Sequence, residues 1–146
     1  MNLTRRTTLG LMLATIAVPA IAADQTFNVD GMAIRGYDPV AYFTMSKPVK
    51  GDAKHSSSYN GATWAFSSAE NKAMFDADPE KYAPKYGGYC AYAVSKGATA
   101  STDPDAWTIH NGALYLNYSL NVRTVWSEDK DGNISKADKN WPGVLN

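Results

Sequence analysis

One cysteine and two histidines are the whole supply of thiol and imidazole in this 146-residue chain. A single thiol cannot form an internal disulfide, so no covalent staple holds the fold. Zinc and copper sites usually draw on three or four nitrogen or sulfur ligands, which leaves little material for a closed metal centre. Charge of one sign is also lacking: 14 basic side chains face 14 acidic ones. No basic surface for nucleic acid is implied. Long apolar runs are absent too, since the stretch that follows Arg5-Arg6 is about 13 residues long, short of the roughly 20 needed to span a bilayer. Neither histidine lies near a nucleophile signature, and no glycine-rich phosphate loop occurs, which excludes the common hydrolase and nucleotide-binding patterns. There is no internal repeat, low-complexity tract or interdomain linker.

The amino terminus reads as an export signal. Thr4-Arg5-Arg6-Thr7-Thr8-Leu9 leads into the apolar run, which ends at Val18 before Pro19-Ala20-Ile21-Ala22, the layout of a signal peptide cleaved after Ala22 or Ala23. The paired arginines resemble a twin-arginine signal, and no cysteine marks a lipoprotein. The expectation is a periplasmic protein with no membrane anchor after cleavage. Without residues 1–23 the chain keeps 12 basic against 14 acidic side chains and about 123 residues, enough for one domain with one core over 24–146. An exported protein with an odd cysteine has a free thiol or an intermolecular bridge.

Three Asx-Gly pairs organise the rest. Asp30-Gly31, Asn60-Gly61 and Asn111-Gly112 each separate short runs of strand-forming residues, the strongest short-range hairpin signal. Asp38-Pro39 predicts a helix cap and first residue, carrying Val40 to Phe43 into a short helix. Lys47 to Ser58, polar and proline-bearing, reads as a loop. Ser67 with Glu70 reads as a capping box that starts a helix near Ser68, with Met74 and Phe75 on its buried face. Asp78-Pro79 ends that helix and begins a further turn to Tyr82. Gly87-Gly88 and Gly97 bracket a short helix over 89–95. Val122, Val125 and Trp126 mark another helix, which Asp131-Gly132 breaks before a last turn or two from Ile134 to Trp141. Asp129 to Asn133 echoes a calcium loop without its later glutamate and reads as a turn. Short hairpins mixed with short helices predict an α+β domain.

The stretch Tyr59-Asn60-Gly61-Ala62-Thr63-Trp64-Ala65-Phe66-Ser67-Ser68-Ala69-Glu70-Asn71, continuing through Phe75 to Asp78-Pro79-Glu80-Lys81-Tyr82, closely resembles the core of the YHS domain. The resemblance covers about 45 residues, from roughly Tyr37 to Tyr82. Members typically carry Asp-Pro-Val-Cys, then Gly-x-x-Tyr-x-Phe-Cys-Ser-x-x-Cys. Here Ala41, Ser67 and Asn71 stand where those thiols would be. The family is linked to metal handling, notably in copper-transport proteins, so the resemblance implies copper as a ligand class while the usual ligands are missing. Downstream, Tyr86-Gly87-Gly88-Tyr89-Cys90-Ala91-Tyr92, Asp103-Pro104-Asp105-Ala106-Trp107 and Leu114-Tyr115-Leu116-Asn117-Tyr118 resemble an exported bacterial branch of the family. The presence of selenocysteine at the position of Cys90 in relatives of that branch implies a reactive chalcogen there.

Chemistry therefore centres on Cys90. In the first turn of a helix beginning near Tyr89, its thiolate would gain from free amides and the helix dipole. The alternative is a small buried hydrophobe among Tyr89, Tyr92 and Val94. His55, in the expected loop, His110, at a hairpin end, and Met32 are the other candidate metal ligands, and Cys90 with a histidine or Met32 would suit Cu(I). Nine tyrosines and four tryptophans supply either an aromatic core or a partner surface. Three functions remain open at this point. The leading reading is an exported periplasmic binding module that handles metal, copper in particular, through Cys90; the alternatives are a thiol redox protein acting with a partner and a non-catalytic interaction domain that has lost the family's ligands.

Overall fold

The computed structural model describes residues 14–15 and 22–146. The expected signal segment thus lies almost wholly outside the described residues. Each Asx-Gly pair forms the tight turn its sequence predicts. Asp30, Asn60 and Asn111 have φ of 52°, 48° and 49°, and the glycines after them 83°, 77° and 78°, the double left-handed geometry that matches the twist of the flanking strands. The resulting hairpins are β1 (Asn28–Val29) with β2 (Met32–Ala33), β3 (Asp52–Tyr59) with β4 (Ala62–Phe66), and β5 (Trp107–His110) with β6 (Ala113–Leu116). The first two hairpins join into one sheet of order β1-β2-β4-β3, through a parallel pairing of Met32 with Thr63. The third forms a separate two-stranded sheet.

β3 corrects the loop expected at 47–58. Its sequence, Asp52-Ala53-Lys54-His55-Ser56-Ser57-Ser58-Tyr59, shows no apolar alternation because the strand lies at the sheet edge, where polar side chains are the usual protection against stray pairing. Pairing with the buried strand β4 supplies its order, with a register shift between Asp52 and Ser56.

Six helices complete the described residues: α1 (Pro39–Thr44), α2 (Ala69–Ala77), α3 (Pro79–Tyr82), α4 (Ala91–Ser95), α5 (Leu120–Ser127) and α6 (Lys130–Asn140). With the two small sheets they make an α+β domain. The cap of α2 is Ser68, whose hydroxyl accepts from the Asn71 amide at 3.1 Å, one residue later than the capping box placed it. Phe75 is buried beneath α2 while Met74 is exposed. Asp131-Gly132 does not break a helix. Asp129 accepts from the Gly132 amide at 3.0 Å, so this pair forms the first turn of α6, and the cap outweighs the poor helix propensity of glycine.

Aromatic rings fill the core in two connected groups. Trp64, Phe66 and Phe75 pack with centroids 5.0–5.4 Å apart under Tyr59. Tyr86, Tyr115 and Trp126 form the second, with Trp141 at its edge. Most of the aromatic load is thus core. Truncating a fully buried ring such as Phe75 to alanine should cost about 3–5 kcal/mol.

Candidate functional site

The three positions that stand for the family's thiols meet at one buried carboxylate. Asp38 precedes α1 and is completely buried. Its Oδ1 accepts from the Val40 and Ala41 amides at 2.9 and 3.3 Å, capping α1. Its Oδ2 accepts from the Ser67 amide at 2.8 Å, the Ser67 hydroxyl at 2.7 Å and Asn71 Nδ2 at 2.8 Å. Asn71 also donates to Ser67 Oγ at 3.3 Å. Ser67 follows β4 and Asn71 lies in the first turn of α2, so one carboxylate ties the start of α1 to the β4–α2 junction. A carboxylate offers about four lone-pair sites, and five donors occupy them. No lysine or arginine pairs with Asp38 among the described residues. Its partners are neutral donors, the first amides of α1 among them.

Tyr42, on α1, donates to the Pro104 carbonyl at 2.8 Å. Burial pushes its phenol well above the ordinary tyrosine range, and the nearby Tyr37, Asp105, Asp103 and Asp38 push it the same way.

Cys90 occupies a different region. The 3-10 turn Lys85–Gly88 places Tyr86, Gly87 and Gly88 at φ of 61°, 62° and 84°. A side chain at Gly87 would collide with the Gln25 carbonyl, so the chain can pass here only as glycine. After this turn α4 begins at Ala91, and Cys90 is its N-cap rather than a first-turn residue. This corrects the expected geometry, in which the thiol lay among the free amides of the helix. The sulfur instead faces the residues after β6. It accepts from the Tyr118 amide at 3.2 Å and lies 3.5 Å from Asn117 Oδ1, toward which the thiol donates. That same Oδ1 accepts from the Tyr92 amide at 3.0 Å, so α4 is capped from outside by Asn117. Cys90 is only 1% exposed, as the buried-hydrophobe alternative requires. It nevertheless reaches the wall of a shallow apolar hollow of ≈ 300 Å³ with Tyr92, Ala93, Ala100, Tyr118 and Val122.

The other candidate ligands lie in other parts of the fold. His110 Nε2 lies 2.8 Å from Asp131 Oδ1, at the turn end of β5. His55 sits half-exposed in the irregular part of β3. Met32 pairs with Thr63 and lines a hollow with Arg35, Tyr37 and Lys50. Among the described residues no group of three or more His, Cys, Asp and Glu side chains gathers within reach of one ion.

Sequence reading found Asp38 only as a local cap and missed Asn117 as a site residue. The signal for Asn117 was a single polar residue directly after the apolar run Ala113–Leu116. Nothing local shows that Ser67 and Asn71 turn toward Asp38.

These features define a small α+β domain with a carboxylate-centred strand–helix junction and a separate sheltered thiol. Residues 40–86 match the family model of the YHS domain. Over that segment the chain carries a YHS domain. The match takes in Ala41, Ser67 and Asn71 and ends before Cys90. No curated protein and no solved structure matches the chain.

The family is often linked to metal binding, and the residues present do not fit a resident metal at the equivalent place. Ala41 has no ligating atom, Ser67 Oγ is engaged with both Asp38 and Asn71, the Asp38 lone pairs are taken, and Asn71 offers only an amide oxygen, a hard ligand where copper wants nitrogen or sulfur. Around Cys90 the polar neighbours are an amide oxygen and a backbone N–H, neither of them the second soft ligand that Cu(I) prefers.

Proposed function

We propose that this chain is a non-enzymatic binding module of the periplasm, carried there by its amino-terminal signal and working by contact with a partner rather than by holding copper. The observation that carries this reading is the exchange at Asp38, where the Ser67 and Asn71 side chains and the Ala41 amide, at the family's thiol positions, serve a saturated structural network. With no soft ligand offered at that site, this reading assigns the function of the domain to its surface. The test is elemental analysis of mature protein purified from the periplasm without chelators, beside Cys90→Ser. Neither protein should carry stoichiometric copper or zinc. A near-stoichiometric metal that is lost in Cys90→Ser would overturn the proposal in favour of metal handling through Cys90.

A second reading, thiol redox chemistry with a partner, is favoured by one contact. The Tyr118 amide aims a donor at the sulfur at 3.2 Å, a contact that an oxidised sulfur with its added oxygen acceptors would keep. Alkylation as a function of pH separates the two. A redox thiol alkylates fast at neutral pH, whereas a purely structural Cys90 reacts slowly at every pH.

A further inference from the structure

Elsewhere on the surface, Ile34, Arg35 and Gly36 run through three consecutive left-handed residues, with φ of 44°, 60° and 79°. For a β-branched residue such as Ile34 this is a true outlier, the kind of strain that persists where surrounding structure enforces it. Here it is enforced by the Ile34 amide on the Phe27 carbonyl at 3.1 Å and the Gly51 amide on the Gly36 carbonyl at 2.8 Å. The result is a fixed Arg35. Its Nε donates to the Thr102 carbonyl at 3.0 Å, and its guanidinium lies 5.5 Å over the Phe27 ring. Lys50 faces Tyr37 across an isolated antiparallel bridge, with its Nζ 5.3 Å from that ring's centroid.

Neither cation forms an ion pair among the described residues, yet both line one hollow of ≈ 510 Å³. Val29, Met32 and Pro104 give that hollow apolar walls, and Asp30 is the acid in its lining. Two cations held by aromatic rings, with no acid paired to them, have already lost part of the side-chain freedom that ligand binding would otherwise remove.

We infer that this hollow binds a small organic monocarboxylate. The free N–H groups of Arg35 take the carboxylate as a two-pronged pair and Lys50 adds a point charge. The apolar body of the ligand rests on Val29, Met32 and Pro104. Asp30 opposes further negative charge, which favours a monoanion over a phosphate monoester.

The test is a titration of the full chain with benzoate, phenyl phosphate and sodium chloride at matched ionic strength, followed by amide and Arg35 Nε–H shifts in NMR. Benzoate should give saturable shifts at Arg35 Nε–H and at the Met32, Tyr37 and Lys50 amides. Affinity should fall roughly tenfold in Lys50→Gln and in Arg35→Lys, since each loses a charge-assisted hydrogen bond. Cys90→Ser should titrate as the unaltered chain does, so this site stands or falls apart from the role of the thiol. The inference is overturned by an absence of saturation with benzoate, by equal shifts with chloride, or by unchanged affinity in Lys50→Gln. Tighter binding of phenyl phosphate than of benzoate would overturn the monocarboxylate assignment. If Arg35→Lys loses its fold with the Thr102 contact, Lys50→Gln decides the question.

Discussion

Asp38 and Asn117 both serve the first turn of a short helix, Asp38 that of α1 and Asn117 that of α4, and both are completely buried. Asp38 caps its own helix and collects three further donors from the β4–α2 junction. Asn117 caps a helix 25 residues away in sequence, and its carbonyl oxygen serves both Tyr92 and Cys90. The two sites differ in what is left over. Every lone pair of Asp38 is used, while Asn117 Nδ2 has no partner among the described residues. A saturated buried group is a rigid structural tie, whereas an incompletely paired one keeps capacity for another contact. That contrast puts the structural centre of the domain at Asp38 and its chemical latitude around Cys90.

The sharpest way to break the comparison is to remove each hub. Asp38→Ala strands five donors in the interior and should cost about 3–5 kcal/mol in urea unfolding. Asn117→Ala removes one cap and one thiol contact and should cost about 2 kcal/mol. The same variant should make Cys90 alkylate faster than in the unaltered chain. Equal costs for Asp38→Ala and Asn117→Ala would abolish the distinction between the two regions.

Alkali tests the cores around both. Burial raises the Tyr42 and Tyr86 phenols well above their ordinary value, and for Tyr86 the hydrogen bond to Asp138 adds to it. Because the folded pKa exceeds the unfolded one, the stabilisation is complete below pH about 10 and is lost as pH rises beyond that. Stability should fall by up to about 1.4 kcal/mol per pH unit for each tyrosine. Tyr86→Phe should flatten that fall in unfolding curves taken above pH 10.

The smallest effects sharpen the assignment of neighbouring serines. Ser67→Ala removes a donor from Asp38 and should cost about 1–2 kcal/mol, coupled to Asn71→Ala in a double-mutant cycle because both bind one oxygen. Ser68→Ala removes only the α2 cap and should cost about 1 kcal/mol, with no coupling to Asn71→Ala through Asp38.

The legible parts of the fold were those with local physics. Three Asx-Gly turns appeared where positive φ was required, and Asp38-Pro39 and Asp78-Pro79 set helix boundaries through steric rules internal to a few residues. β3 was illegible because edge position, not side-chain pattern, makes it a strand. The cap of α2 was misplaced by one residue because Glu70 completes a capping box with Ser67 and not with Ser68. Only the approach of Asp38 draws Ser67 away. Cys90 was legible as the one thiol, and its surroundings were not, since its partners Asn117 and Tyr118 come from another element.

The sequence by itself determined where the chain turns, which helices start at Asp38-Pro39 and Asp78-Pro79, and that no internal disulfide can form, because each depends on the conformational limits or chemistry of adjacent residues. Only the tertiary structure decided that Ala41, Ser67 and Asn71 surround a saturated carboxylate, that Cys90 faces Asn117, and that Arg35 and Lys50 share a hollow. Those outcomes depend on distances between residues far apart in the chain, which packing fixes and local preference does not.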